Sequence, residues 1–251
     1  MKIGLSLALG VSAAFALASA ASASSVTVSV PGSSNPFLSA QPGGTSCCSG
    51  DSAPAESPIL ATTNLTAGSV LTFSATGGAN YGGGTPSNGA DGDNDGTNYT
   101  YRFSMVADYG TGLAGAQNVN VDGLVGVFLS GVPLGAAPTP LDFAGSGGST
   151  GLDFTSLSPG LNQIFWIGDG LTGLGTGAVQ TFIVPTGATA LYLGTVDGFG
   201  WYNNSGVITA TINGLSGGVP EPSAWALMMV GLGVVGMTLR RRAGAAQGAV
   251  A

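Results

Sequence analysis

Apolar and polar residues alternate with period two along several stretches of this chain. Val26, Val28 and Val30 interleave with Ser and Thr, Leu71, Phe73 and Ala75 with Thr and Ser, and Tyr99, Tyr101, Phe103 and Met105 keep the same rhythm around Arg102. Period two turns one face of an extended segment to a core and the other to water, so each stretch predicts a half-buried strand. Further β segments fall at 124–129, 163–167, 179–184, 190–193 and 207–212, separated by Gly, Asn, Asp and Pro clusters suited to turns. No helical period shows between 26 and 215. About eight short strands with turn-rich connections predict an all-β fold, a jelly-roll-like antiparallel β-sandwich. The Gly-, Ser- and Pro-rich stretch 131–160 is expected to form long surface loops.

Two apolar runs stand outside this pattern. Residues 3–17 follow Met1-Lys2 and precede small residues at 18–23, the layout of a signal peptide over 1–23 with the mature chain starting near Ser24. Residues 224–239 contain no charge and, as a helix at about 1.5 Å per residue, would be about 24 Å long, close to a hydrocarbon core that flanking arginines can help to span. Arg240, Arg241 and Arg242 mark the cytoplasmic side of this transmembrane helix and place the preceding chain across the inner membrane. The glycines of Gly231-Leu-Gly233-Val-Val-Gly236 spell a dinucleotide fingerprint, but they lie inside the apolar run and follow no strand.

The order Pro220-Glu221-Pro222, apolar helix, Arg240-Arg241-Arg242 resembles the PEP-CTERM sorting signal. The resemblance covers about a tenth of the chain. It implies processing by an exosortase, transient anchoring in the inner membrane through the C-terminal helix, and release to the cell surface or an extracellular polysaccharide matrix such as that of a biofilm. The expected organisation is a signal peptide at 1–23, an N-terminal strand and loop at 24–64, a β-sandwich at 65–218, the sorting signal at 219–242 and a short tail at 243–251.

Charge narrows the partners of the secreted body. Lys2 and the three C-terminal arginines are four of the five basic residues, so residues 24–218 keep Arg102 alone against eleven of the twelve acids. Such a surface argues against nucleic acid and suits a cation. The chain has no histidine, which excludes Ser-His-Asp and Cys-His nucleophile systems and histidine-ligated metals. A carboxylate glycosidase survives only formally, because Asp122, Asp153, Asp169 and Asp197 sit beside Gly or in turns. The body is therefore read as non-enzymatic. Cys47 and Cys48 lie in a loop of an exported protein, where oxidation is expected; a disulfide between them, which would barely constrain the fold, an interchain bridge and an unremarkable loop pair all stay open.

Two segments offer oxygen ligands for calcium. Asp91-Gly-Asp93-Asn-Asp95-Gly96 alternates acids as an EF-hand loop does, but Arg102 stands where the bidentate glutamate belongs, which excludes a true EF-hand. In the second, Asp197-Gly-Phe-Gly200-Trp201-Tyr202-Asn203-Asn204, a carboxylate precedes a compact loop and two carboxamides. With Leu71-Thr-Phe-Ser-Ala-Thr-Gly77, this segment resembles the PA-I type galactophilic lectins, calcium-dependent sugar-binding β-sandwiches, over about 65–213. The resemblance implies that Asp197, Asn203 and Asn204 bind calcium through their side chains and that Gly200 and Tyr81 add carbonyls. Trp201, whose ring could stack on a sugar or equally belong to the core, is a candidate glycan contact with Asp93 and Asp95. The sugar-contacting histidine and glutamine of that family have no clear match in the Asp91 to Gly96 region. The resulting reading is calcium-dependent carbohydrate binding; the alternative is a structural matrix protein without sugar-binding activity.

Overall fold

The computed structural model describes residues 24–86, 89–93, 101–105, 109–133, 135–145 and 151–215, together with 228, 231–233 and 235. Residues 23–218 form one compact unit. The expected signal peptide, Asp95, Pro220, Glu221, Pro222, Arg240, Arg241, Arg242 and the tail lie outside the described residues, as does most of the expected membrane helix. Met228, Gly231 to Gly233 and Val235 are helical. Among the described residues no helix is long and apolar enough to cross a membrane.

Among the described residues the body is all-β, and its two larger sheets are built from nine strands. They are β1 (Ser24–Pro31), β2 (Ile59–Thr62), β3 (Val70–Asn80), β4 (Leu124–Leu129), β5 (Ser156–Leu157), β6 (Ile164–Trp166), β7 (Thr181–Ile183), β8 (Ala190–Thr195) and β9 (Ser205–Leu215). The order is β1-β9-β3-β7-β5 in the five-stranded sheet and β6-β4-β8-β2 in the four-stranded one. The alternation read from the sequence governs β3 and β9: Leu71, Phe73 and Ala75 are buried opposite Ile212 and Ala210, while Ser74 and Thr76 face outward. At Gly77, with φ +86°, the alternation slips by one residue, and a side chain there would strike the Val207 carbonyl.

One core serves both sheets. Phe165 of β6 lies 5.6 Å from Phe182 of β7, Phe182 meets Phe73 edge-on at 5.0 Å, and Phe165 stacks on Phe128 at 5.1 Å. β4 is buried along its whole length, which explains its unbroken apolar sequence. The Pro36–Leu38 turn packs on β4 and β8, and its Phe37 and Leu38 are sealed in the core.

Several expectations are corrected. The sheets are not antiparallel throughout, because β5 runs parallel to β7, and Leu141–Asp142 runs parallel to Ala116–Gln117. Of the expected strand around Arg102, Tyr99 lies outside the described residues, and among those described it is Arg102–Phe103, paired with Val119–Asn120. The stretch 131–160, expected to be loop, contributes β5. Of the readings left open for Cys47 and Cys48, the structure has the disulfide between the two neighbours.

Candidate cation site

Strand pairing assembles the site. Ser205, the first residue of β9, is the register partner of Asn80, the last of β3. The turn Tyr81–Gly83 that leaves β3 therefore meets the turn Trp201–Asn203 that enters β9, across more than a hundred residues of sequence. Gly200 opens the second turn in the left-handed region, φ +81°, where a side chain would be strained.

The two carboxamides converge. The Gly82 N–H donates to Asn203 Oδ1 at 3.1 Å and to Asn204 Oδ1 at 3.3 Å, so both oxygens address one point beside Tyr81. The Asn204 Nδ2 donates to the Gly32 carbonyl at 3.3 Å, which fixes the amide's orientation. Asp197 is 7 % exposed, and its Oδ1 accepts from Gly198 N and, at 3.4 Å, from Phe199 N. Burial raises its pKa; hydrogen bonds from the Asn204 side chain and the Gly198 and Phe199 backbones work against that rise. One carboxylate and two carboxamide oxygens thus gather at one end of the body, a hard-oxygen set of the kind calcium takes.

The remaining expected residues divide. Tyr81 stands at the centre, half exposed, with its ring tilted against Tyr101 at 6.0 Å. The Gly200 carbonyl accepts from Asn203 N at 3.2 Å inside its own turn. Trp201 is misread as a glycan contact: it is 0 % exposed, lies 6.2 Å from Phe37 and donates through Nε1 to the Thr195 carbonyl at 3.0 Å. The 3-10 turn rotates the large ring into the core and leaves Tyr202 outside. Exposed aromatic faces near Asp197 come instead from Tyr81, Tyr101 and Phe199, which line a cavity of about 230 Å³ with Asp197 and Asn203.

Asp91 leaves the expected acidic loop. It is 5 % exposed, and its Oδ1 accepts from Asp169 N at 3.0 Å. Burial, with repulsion from Asp169 and Asp153, pushes its pKa up to about 7. Asp93 faces a separate cavity of about 480 Å³, lined also by Asn80, Tyr81, Gly82 and Asp122.

Two important residues escaped the sequence reading. Asp51, 0 % exposed, caps the Trp201–Asn203 turn: its Oδ2 accepts from Trp201 N at 3.1 Å and Asn35 Nδ2 at 3.1 Å, and its Oδ1 from Tyr202 N at 2.8 Å. The Cys48 carbonyl, in the same segment, accepts from Gly200 N at 2.9 Å. Cys47, Cys48 and Asp51 are close enough together for metal ligands, but the sulfurs are bonded to each other and both carboxylate oxygens already accept hydrogen bonds. Asp122, 1 % exposed, accepts from the Tyr81 backbone N–H. Nothing in Asn120-Val-Asp122-Gly123 distinguishes it from an ordinary turn.

Residues 218–242 match the PEP-CTERM protein-sorting motif. The motif supports an exported protein sorted and processed by an exosortase. No curated protein matches the chain, a galactophilic lectin included.

Proposed function

We propose that the exported body is a calcium-dependent carbohydrate-binding module on a jelly-roll-like sandwich, delivered to the cell surface or extracellular matrix. The observation that carries this reading is the meeting of the Asn203 and Asn204 carboxamide oxygens on Gly82 N–H, next to the buried Asp197. Oxygens already aimed at one hydrogen-bond donor need little rearrangement to address a cation, which lowers the ordering cost of binding. A calcium ion held there would take vicinal sugar hydroxyls, and the rings of Tyr81, Tyr101 and Phe199 offer apolar faces for the pyranose. The body's acidity suits a neutral diol better than an anionic glycan. The residues 224–239 serve as the transient membrane anchor in this reading.

The test uses the full chain in a detergent without a sugar headgroup. Calcium at millimolar concentration is expected to raise the melting temperature, and Asp197→Ala to abolish the rise. A glycan array should then give hits that disappear on chelation. No calcium shift defeats the proposal outright. The Gly82 N–H already satisfies both carboxamides without an ion, which favours a second reading, a structural matrix protein; calcium stabilisation with a blank array would select it.

A further inference from the structure

The Asp122 carboxylate is left with work undone by the Asp197 site. Its main chain is fixed: the backbone N–H donates to the Val196 carbonyl at 2.9 Å, and φ is +65°, unusual for a residue with a side chain. The carboxylate accepts from Tyr81 N–H, yet Oδ1 is buried and has no hydrogen-bond partner among the described residues. A buried polar atom without a partner costs about 1–3 kcal/mol, more when charged, so a native structure rarely leaves one unanswered.

The neighbours deepen the deficit. Burial and the carboxylates of Asp197 and Asp93 all disfavour negative charge on Asp122. Asp93 and Asp122 line the larger cavity, whereas Asp197 and Asn203 line the smaller; the two share the Tyr81–Gly82 turn as a common wall. Thr85 and Asn80 also line the larger one.

We infer that Asp93 and Asp122 hold a second hard divalent cation, of the calcium class, in the cavity beside the Tyr81–Gly82 turn. Two carboxylates supply the charge, and the unpartnered Asp122 Oδ1 supplies a ligand oxygen in place before the ion arrives. This seat is separate from the Asp197 seat, and either can be filled alone. A cation here would also brace the turn that carries Tyr81 and Gly82, coupling its occupancy to the geometry offered to Asn203 and Asn204.

The experiment is calcium stoichiometry by equilibrium dialysis on the full chain, stripped with chelator and held in detergent. Two ions per wild-type chain are expected, falling to one in Asp122→Asn and to one in Asp197→Asn. Asp93→Asn, at a less buried position, should also bind one and covers the case where Asp122→Asn fails to fold, as judged by circular dichroism. One ion in both wild type and Asp122→Asn overturns the second seat while leaving the Asp197 proposal intact. Loss of both ions in either single variant also overturns it, because the oxygens would then serve one shared site. A wild type that binds one ion, lost in Asp122→Asn but kept in Asp197→Asn, upholds this seat and defeats the other.

Discussion

Removing the Asp51 side chain should loosen the candidate site from a distance. The carboxylate accepts from Trp201 N, Tyr202 N and Asn35 Nδ2 at 3.1, 2.8 and 3.1 Å and is wholly buried. In Asp51→Ala the Tyr202 N–H can turn to water, since Tyr202 is exposed, but Trp201 N stays buried without an acceptor and Asn35 Nδ2 keeps only the weak Cys47 Sγ acceptor at 3.3 Å. At about 1–3 kcal/mol for the orphaned Trp201 N–H and up to about 1 kcal/mol for the weakened Asn35 amide, the cost is roughly 1–4 kcal/mol. Relief from burying a charge offsets part, because burial raises the Asp51 pKa against the hydrogen bonds of Tyr202, Trp201 and Asn35. A net loss of about 1–3 kcal/mol follows, which for a domain of this size lowers the melting temperature by roughly 2–12 °C. Differential scanning calorimetry measures this directly. Asp51→Asn keeps one acceptor oxygen and should fall between. Because the same turn carries Asn203, the calcium midpoint should rise several-fold in Asp51→Ala. A melting temperature within about 2 °C of wild type, or an unchanged midpoint, would refute the capping role.

Stability without divalent cations should fall as pH rises from about 4 to about 7. Asp91, facing Asp169 and Asp153, and Asp122, facing Asp197 and Asp93, have pKa values raised from 3.8 to about 7, so the folded chain binds more protons than the unfolded one across that window. Thermal melts in chelator at pH 5 and pH 8 check the sign, and Asp122→Asn should flatten the slope. Phe199→Ala, at a side chain 67 % exposed, should change stability by less than about 0.5 kcal/mol and weaken glycan binding several-fold; Trp201→Ala should cost about 3–5 kcal/mol in denaturant unfolding by opening the core around Phe37. Replacing Pro220, Glu221 and Pro222 by Ala should leave the precursor in the membrane fraction of an exosortase-bearing host, read by fractionation and mass; normal release would contradict the motif's role.

Local signals carried the strands, and distant contacts carried the site. The alternation through Leu71, Phe73 and Ala75 and through Ile208, Ala210 and Ile212 is a property of adjacent residues, so it shows in the sequence. The strand Ile59–Thr62 is four residues without alternation, and it is a strand because β8 lies beside it. Asp197, Asn203 and Asn204 stand out together because one loop holds them. Asp51 and Asp122 do not, because their partners at Trp201 and Tyr81 lie far along the chain. Trp201 and Tyr202 part to opposite sides, the first buried and the second exposed. Which one turned inward depended on Phe37 and on the short helical turn, neither visible in the local pattern.

The order in which the sheet fills has its own consequence. β9 lies between β1 and β3, so the segment made last in the body is a central strand rather than an edge. Until residues 205–215 arrive, the opening strand at Ser24 has no partner in its sheet, and Asn203 and Asn204 have no register to hold them near Gly82. Any truncated product would therefore carry an unclosed sheet with two bare edges, prone to pairing with its neighbours. Closure is a single late event with contacts spanning nearly the whole body, which predicts slow folding and keeps the nascent chain loose until its final strand is delivered.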